Sequence, residues 1–421
     1  MKVNLLFWYK KNHSALLLVL IAMLFVDVII DSSNLIFGLK YVLFIMLFLL
    51  WIPKISYEKM IVPKLLVIVV IFISFYMPFY GLSVGLLNNY LHNMDIGMLI
   101  YFNSFFFFIL VLIIVNEGFE LTKIFNYSLL SIVLITLGAY VVLIFNPKAF
   151  GNLYQYLVID KDVAMYAMRK YGDYTILMMF YKTSPLLVFP LSYYLYKILI
   201  KRDLNRLILD LFILITIVIT LFLSGTRANI LSLILIIVFY STYFIYLRSR
   251  RLFLILSGFY ILIGLYGLTI IGNVLLNSQE ASNMVKLGHL VSYIEQFSNN
   301  IGDFIFGQGL GSHFYSFGIN RMTVITELSY FELVRVWGLP ITIVFVLVLI
   351  IPFYYEIKSR KISHLFIAYF AFLFIAGTNP LLLSSTGMIV LVYVFSSVFL
   401  KNEKTRRIDK KAGSVKLFVK H

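Results

Sequence analysis

Long apolar runs constrain the fold of this chain more than any other sequence feature. About twelve runs reach the roughly 17–25 residues that a helix needs to cross a bilayer. The chain of 421 residues is 62% hydrophobic with a mean hydropathy of +0.96, whereas a soluble domain is about half apolar. The sequence predicts an all-α polytopic membrane protein with about 12 transmembrane helices, at roughly 14–31, 34–53, 62–83, 97–115, 126–146, 176–196, 207–224, 229–247, 252–275, 338–355, 363–379 and 381–400.

The positive charge follows a pattern from loop to loop. The net charge is +16, and with the N-terminus inside, most of the 35 Lys and Arg residues fall in cytoplasmic segments. Membrane proteins show this bias because positively charged loops are retained on the cytoplasmic side. We therefore expect cytoplasmic N- and C-termini and a basic surface that contacts membrane lipids. Nucleic acid is not an expected partner.

The connections between predicted spans are mostly short, so one integral membrane domain over residues 1–421 is the simplest organisation. The outer loop 276–337 is by far the longest, and residues 401–421 form a basic cytoplasmic tail. A second outer segment, 147–175, is rich in tyrosine. The run SNMVKLGHLVSYIEQF in the long loop predicts a helix, because apolar residues recur on one face at helical spacing, namely Met284, Leu287, Leu290, Val291 and Ile294.

Charges gather where the long loop enters a span, in the stretch TELSYFELVRVWGLP. Glu332 lies three residues before Arg335 on a predicted helix, close enough to form an ion pair. Acids such as Glu327 and Glu332 are also common at helix starts, where they meet the positive end of the helix dipole. An ordinary surface ion pair therefore explains these charges as well as a functional site does.

Several short motifs in the second half of the chain are informative together. SGTRAN lies at an outer turn, VKLGHLVSYIEQF and FGQGLGSHFYSFG follow in the outer loop, and ELSYFELVRVWGLP stands at the entry to a span. In this order and topology they resemble the bacterial O-antigen polymerase (Wzy-type) and O-antigen ligase superfamily. The resemblance covers about the second half of the chain, while the first half is similar only in hydropathy.

One departure from the family pattern favours the polymerase branch. In the ligase branch, the stretch matching ELSYFELVRVWG usually opens with His and Asn, where this chain has Glu327 and Leu328. Lys286 stands where an arginine is often found early in the long loop, and His289 follows one turn later. The resemblance to the polymerases thus implies a carboxylate where the ligases have an imidazole.

The resemblance implies a glycosyl transfer on the periplasmic side of the bacterial cytoplasmic (inner) membrane. A glycan on undecaprenyl pyrophosphate would be the donor, and another lipid-linked repeat unit the acceptor. No metal or other cofactor is implied, and the six histidines are too scattered to form a usual metal motif. A regulator of chain length is a possible protein partner.

The resemblance also suggests roles for individual residues. Glu327 is the candidate general base, and Arg227 the candidate for stabilising the leaving pyrophosphate. Arg227 could instead be an interfacial arginine that extends toward lipid headgroups. The candidates for substrate binding, whose charged members could also be solvated loop residues, are Arg169, Lys286, His289, Arg321, Tyr330, Glu332 and Arg335.

Other functions stay open at this point. An O-antigen ligase, which transfers the glycan to lipid A-core, shares the leaving group and differs mainly in its acceptor. A lipid-linked oligosaccharide flippase would have a similar number of spans, but transporters often carry ionisable groups at the membrane midplane. In this sequence the spans carry few charges and the charges of the outer side concentrate in one loop, which favours an enzyme over a transporter, and a non-enzymatic scaffold would not explain Arg227.

Overall fold

The protein is mostly helical in a computed structural model, with 78% of the described chain in helices. The structure describes residues 2–57, 60, 62–90, 96–171, 174–202, 205–254, 258, 281–359 and 362–418. The helices are α1 Lys2–Ile30, α2 Lys40–Tyr57, α3 Lys64–Ile71, α4 Met77–Leu87, α5 Ile96–Phe106, α6 Leu110–Glu117, α7 Thr122–Phe145, α8 Pro147–Tyr154, α9 Val188–Leu195, α10 Leu207–Leu223, α11 Arg227–Arg248, α12 Ala281–Asn299, α13 Ile301–Phe306, α14 Ser329–Lys358, α15 His364–Ala376 and α16 Ser385–Phe418. The strands are β1 Ala164–Tyr171, β2 Tyr174–Tyr181, β3 Phe314–Ser316 and β4 Arg321–Thr323.

The helices fit an all-α membrane protein. Within the described ranges, six helices are long and apolar enough to cross a membrane, namely His13–Ile30, Lys64–Leu87, Thr122–Phe145, Arg227–Arg248, Ser329–Lys358 and Ser385–Glu403. Three shorter apolar helices are Tyr101–Glu117, Leu207–Leu223 and His364–Ala376. The predicted span 252–275 lies almost entirely outside the described residues. The count of twelve spans and the sidedness of the chain stay predictions.

A β-hairpin replaces the start of one predicted span. The sequence predicts a helix from residue 176, but β2 continues to Tyr181 and pairs antiparallel with β1. A short 3-10 segment at Ser184–Leu187 then leads into α9, and a π-helical segment at Tyr196–Lys201 extends it. The run ILMMFY is apolar enough to predict a membrane helix, yet its Ile, Phe and Tyr residues also suit a strand, and pairing with β1 favours the strand.

Helix ends that the charge pattern assigns to the cytoplasmic side lie together. Lys54 Nζ is 2.8 Å from Glu117 Oε2, and Ser14 Oγ donates to the same carboxylate at 3.0 Å. Lys197 pairs with Asp210 in the same way, at 2.6 Å. These contacts join α1, α2 and α6 at one end, and join the start of α10 to the segment after α9. They are the contacts expected of antiparallel spans joined by short loops.

A second set of contacts joins the helices at their opposite ends. Thr183 Oγ1 donates to Ile29 O at 2.8 Å, and Asn88 Nδ2 donates to Gln308 O at 3.1 Å. Helix α16 runs through the centre, with 83% of its candidate span buried. The outer loop packs on the ends of this bundle through residues 306–310.

Helix α14 breaks at Gly338, and the break joins the outer loop to the membrane helix. Gly338 has φ +78° and ψ 163°, and Pro340 has no N–H to donate to Val336 O. That carbonyl instead accepts from Gly309 N at 3.0 Å, while Arg335 O accepts from Gln308 N at 2.7 Å. The break therefore satisfies its free carbonyls with the backbone of the loop.

Replacing Gly338 by alanine tests this junction. A Cβ would collide with the carbonyl oxygen of Ile305, and the backbone conformation is one that non-glycine residues avoid. We expect Gly338→Ala to lower the free energy of unfolding by about 1–3 kcal/mol from backbone strain alone. The matched control is Gly138→Ala in α7, where nothing lies within 4 Å of an added Cβ. Thermal unfolding in detergent with equal midpoints for the two variants would contradict this account of the junction.

Candidate functional site

Arg227 is the first residue of α11, and a rigid turn holds it there. Gly225 has φ +61°, and an added Cβ at this position would collide with Met178 on β2. Asn229 Nδ2 donates to Ser224 Oγ at 2.9 Å and to Ser184 Oγ at 3.2 Å. The turn SGTRAN is thus fixed by one buried hydrogen bond between its two ends and by another to Ser184, and these bonds define the position at which Arg227 starts α11.

The side chain of Arg227 reaches the start of α12. Its Nη1 donates to Asn283 Oδ1 at 3.1 Å. Asn283 is buried and lies one helical turn before Lys286. The structure therefore brings together two motifs that are separated by more than fifty residues in the chain. Sequence reasoning missed Asn283, although its spacing from Lys286 is a signal that could have found it.

Lys286 and Glu327 form a partly exposed pair beside this contact. Lys286 Nζ lies 3.7 Å from Glu327 Oε2, and the two side chains are 32% and 48% exposed. An ion pair with this much solvent contact contributes about 0–1 kcal/mol, so it does not hold the loop together. Both groups are accessible to a ligand, as groups that act on a substrate must be.

His289 lies one turn beyond Lys286 on the buried side of α12. Its Nδ1 is 2.7 Å from Ser316 Oγ on β3, and both side chains are buried. Burial lowers the pKa of His289, while the carboxylates of Glu327 and Glu332 oppose that shift. The imidazole is consequently neutral near pH 7, and it lies within electrostatic range of Glu327. Ser316 is a second residue that sequence reasoning missed.

Arg335 is completely buried, and protein acceptors occupy all of its donors. Nε donates to Glu332 Oε2 at 3.1 Å, and Nη2 donates to Glu332 Oε1 and to Val324 O. Nη1 donates to Gln308 Oε1 and Ser312 O, each at 3.1 Å. A guanidinium has five N–H donors, so none is left for a phosphate. The guanidinium therefore does not offer the contact to substrate that the sequence predicts, and in this structure it contributes to the interior of the loop.

Glu332 shares this buried position. Besides Arg335, its carboxylate accepts from Tyr293 Oη at 2.7 Å, and the Tyr293 hydroxyl also lies 2.6 Å from Thr326 Oγ1. Burial raises the pKa of Tyr293 well above its usual value, and the Glu332 charge adds to the shift. Glu332 therefore belongs to the interior of the outer loop and not to a substrate surface.

The remaining candidates lie apart from this group. Tyr330 Oη donates to Leu373 O at 2.9 Å, which attaches the start of α14 to α15. Arg321 is exposed on β4, opposite Ser316 in the small hairpin. Arg169 is on β1 opposite Ile176, and its side chain lies outside the described residues. In the part of the chain that the structure describes, no three His, Asp or Glu side chains are grouped so as to hold a metal ion.

Comparison with known proteins adds no family assignment. No family model, no curated protein and no solved structure matches this chain. The site consists of two contacts, Arg227 with Asn283 and Lys286 with Glu327, and Asn283 and Lys286 are one turn apart on α12.

Replacing Glu332 by glutamine tests the positioning role of the buried pair. Glutamine keeps the size of the side chain but leaves the Arg335 charge buried without a carboxylate. We expect a loss of about 3–5 kcal/mol in the free energy of unfolding, measured by thermal or denaturant unfolding in detergent. Glu295→Gln, an exposed change on α12, is the control and should shift stability by no more than about 0.5 kcal/mol. If Glu332→Gln unfolds like this control, the pair does not hold the loop.

Proposed function

We propose that this protein is a membrane glycosyltransferase that joins oligosaccharide repeat units linked to undecaprenyl pyrophosphate, on the periplasmic side of the bacterial inner membrane. The observation that supports it is the chain of contacts from Arg227 through Asn283 to the turn that carries Lys286 and its partner Glu327. Two cations and one carboxylate on an accessible surface are the groups that transfer from a pyrophosphate donor requires.

The proposed step is a single displacement at the anomeric carbon of the donor. The hydroxyl oxygen of the acceptor sugar forms the new bond to that carbon, and Glu327 accepts the hydroxyl proton. The bond from the anomeric carbon to the pyrophosphate oxygen breaks, and its electron pair leaves with undecaprenyl pyrophosphate. Arg227 and Lys286 stabilise the negative charge that develops on the leaving group, as cationic donors do in phosphate chemistry.

The loose Lys286–Glu327 pair fits both roles. At 3.7 Å the pair is longer than a direct charge-assisted hydrogen bond of about 2.7–2.9 Å. A pyrophosphate that attracts Lys286 would release the Glu327 carboxylate for the incoming hydroxyl. Substrate binding and activation of the base are then coupled through one lysine.

A ligase is the second candidate, and His289 is the observation that favours it. The ligase branch has a histidine at the position of Glu327, and here an imidazole lies within electrostatic range of that carboxylate. His289 is buried and held by Ser316, whereas Glu327 is half exposed. The more accessible group is the better base for a bulky sugar acceptor, so the polymerase stays the first proposal.

Deletion of the gene in a host with ordinary lipopolysaccharide tests the proposal. For a polymerase, a gel of the surface glycan shows lipid A-core with a single repeat unit and no ladder. For a ligase, the core carries no repeat unit and long chains accumulate on the outward-facing carrier lipid. Lipid-linked single units that accumulate on the cytoplasmic side would indicate a flippase and overturn the enzyme proposal.

Variants returned to the deletion strain test the residues. We expect Glu327→Gln and Arg227→Ala each to abolish the ladder at normal membrane levels of the protein, because they remove the base and the charge that faces the leaving group. Glu295→Gln is the matched control and keeps the ladder. A normal ladder from Glu327→Gln or Arg227→Ala removes that residue from the mechanism.

A further inference from the structure

Helix α12 carries an apolar stripe on its outer surface. Met284, Leu287, Val291 and Ile294 are spaced by three or four residues and are 53%, 36%, 53% and 56% exposed. The spacing puts them on one side of the helix, within about 80° of arc. The buried side carries His289, Ser292 and Tyr293, whose polar atoms are hydrogen-bonded to the rest of the loop. Helix α12 therefore exposes an apolar stripe while it buries polar side chains.

Hydrogen bonds hold α12 at the level where spans end. At its start, Asn283 is bound to Arg227, the first residue of the candidate span Arg227–Arg248. At its middle, Tyr293 is bound to Glu332, two residues after Tyr330, whose hydroxyl reaches Leu373 near the end of α15. Because these partners belong to the ends of different membrane helices, α12 crosses the end of the bundle and does not project away from it.

The segment after α12 also contacts a candidate span. Tyr80 Oη, in the candidate span Lys64–Leu87, donates to Phe306 O at 2.8 Å. The side chains of Ile301 and Phe306 on α13 are 66% and 63% exposed. The α13 segment thus also exposes apolar side chains, and its end is hydrogen-bonded to a candidate span.

We propose that α12 lies in the interface of the outer leaflet, with the stripe of Met284, Leu287, Val291 and Ile294 in contact with lipid acyl chains. An amphipathic helix in this position buries its apolar side chains at the boundary between headgroups and acyl chains. Lipid fits better than water because a soluble surface seldom carries a continuous apolar stripe. The hydrogen bonds of Asn283 and Tyr293 to residues at the ends of spans bring the stripe to that boundary.

This position has a consequence for the active site, which rests on the proposed function. Lys286 is on the same helix as the stripe, and Glu327 is its partner. With the stripe in the acyl region, these groups lie at the level of the lipid headgroups, where the pyrophosphate of a lipid-linked donor is found. The helix would then recognise the lipid carrier by the position of its pyrophosphate along the membrane normal as well as by the charge of that group.

Site-directed spin labelling tests the position of the stripe, and the absence of cysteine from the chain makes it direct. Val291→Cys and Ile294→Cys are labelled with a nitroxide, and the full-length protein is reconstituted in vesicles of phosphatidylcholine and phosphatidylglycerol. Power saturation compares the collisions of the label with oxygen, which concentrates in lipid, and with a water-soluble nickel chelate. Leu134→Cys on the exposed face of α7 is the lipid control, and Asn299→Cys at the exposed end of α12 is the water control.

We expect labels at 291 and 294 to favour oxygen over nickel, as at 134, and the label at 299 to favour nickel. Labels at 291 and 294 that favour nickel place the stripe in water and overturn the proposal. Labels that neither reagent reaches show that protein covers the stripe, a second copy included, and overturn it equally. The measurement uses no glycan substrate, so its failure is distinct from a failure of the proposed enzymatic function.

Discussion

The buried guanidinium of Arg335 is the interaction on which the outer part of the molecule depends. It has no contact with water, and each of its donors is bound to the protein. An unpaired charge at that depth would be strongly unfavourable, so the folded loop depends on Glu332 and the surrounding carbonyls for its stability. The ring of Phe314 packs against the guanidinium, with its centroid 4.8 Å from the guanidinium carbon.

The accessible groups depend on this buried centre for their positions. Glu327 lies between Thr326, which contacts Tyr293, and the first turn of α14, which carries Glu332. Lys286 and His289 share a helix with Tyr293, the partner of Glu332. A rigid, fully satisfied polar interior and a looser pair at the surface are the arrangement that suits a site on a loop, because reactive groups need fixed positions and free access.

The sequence predicts a helical membrane protein, and six helices in the described residues are long and apolar enough to be spans, but the count of twelve stays a prediction and the site is anticipated only in part. Hydropathy depends on composition, so the long runs are visible without tertiary information, and the charges at Glu327, Glu332 and Arg335 stand out against them. The start of the predicted span 176–196 is wrong, since residues 176–181 belong to β2, and apolar residues such as Met178 and Met179 suit a strand and a span alike. The burial of Arg335 could not be predicted, since its acceptors at Gln308, Ser312 and Val324 come together only in the fold.

We propose above that this protein forms glycosidic bonds between lipid-linked repeat units, and that activity can be measured with purified components. The most direct measurement incubates the purified protein, in vesicles, with undecaprenyl-pyrophosphate-linked repeat unit as the only substrate, and follows both glycan length and released undecaprenyl pyrophosphate. We expect a ladder of lipid-linked glycans, with one undecaprenyl pyrophosphate released for each new bond. Folded protein that leaves the repeat units unjoined, or that transfers glycan only when lipid A-core is added, would contradict it.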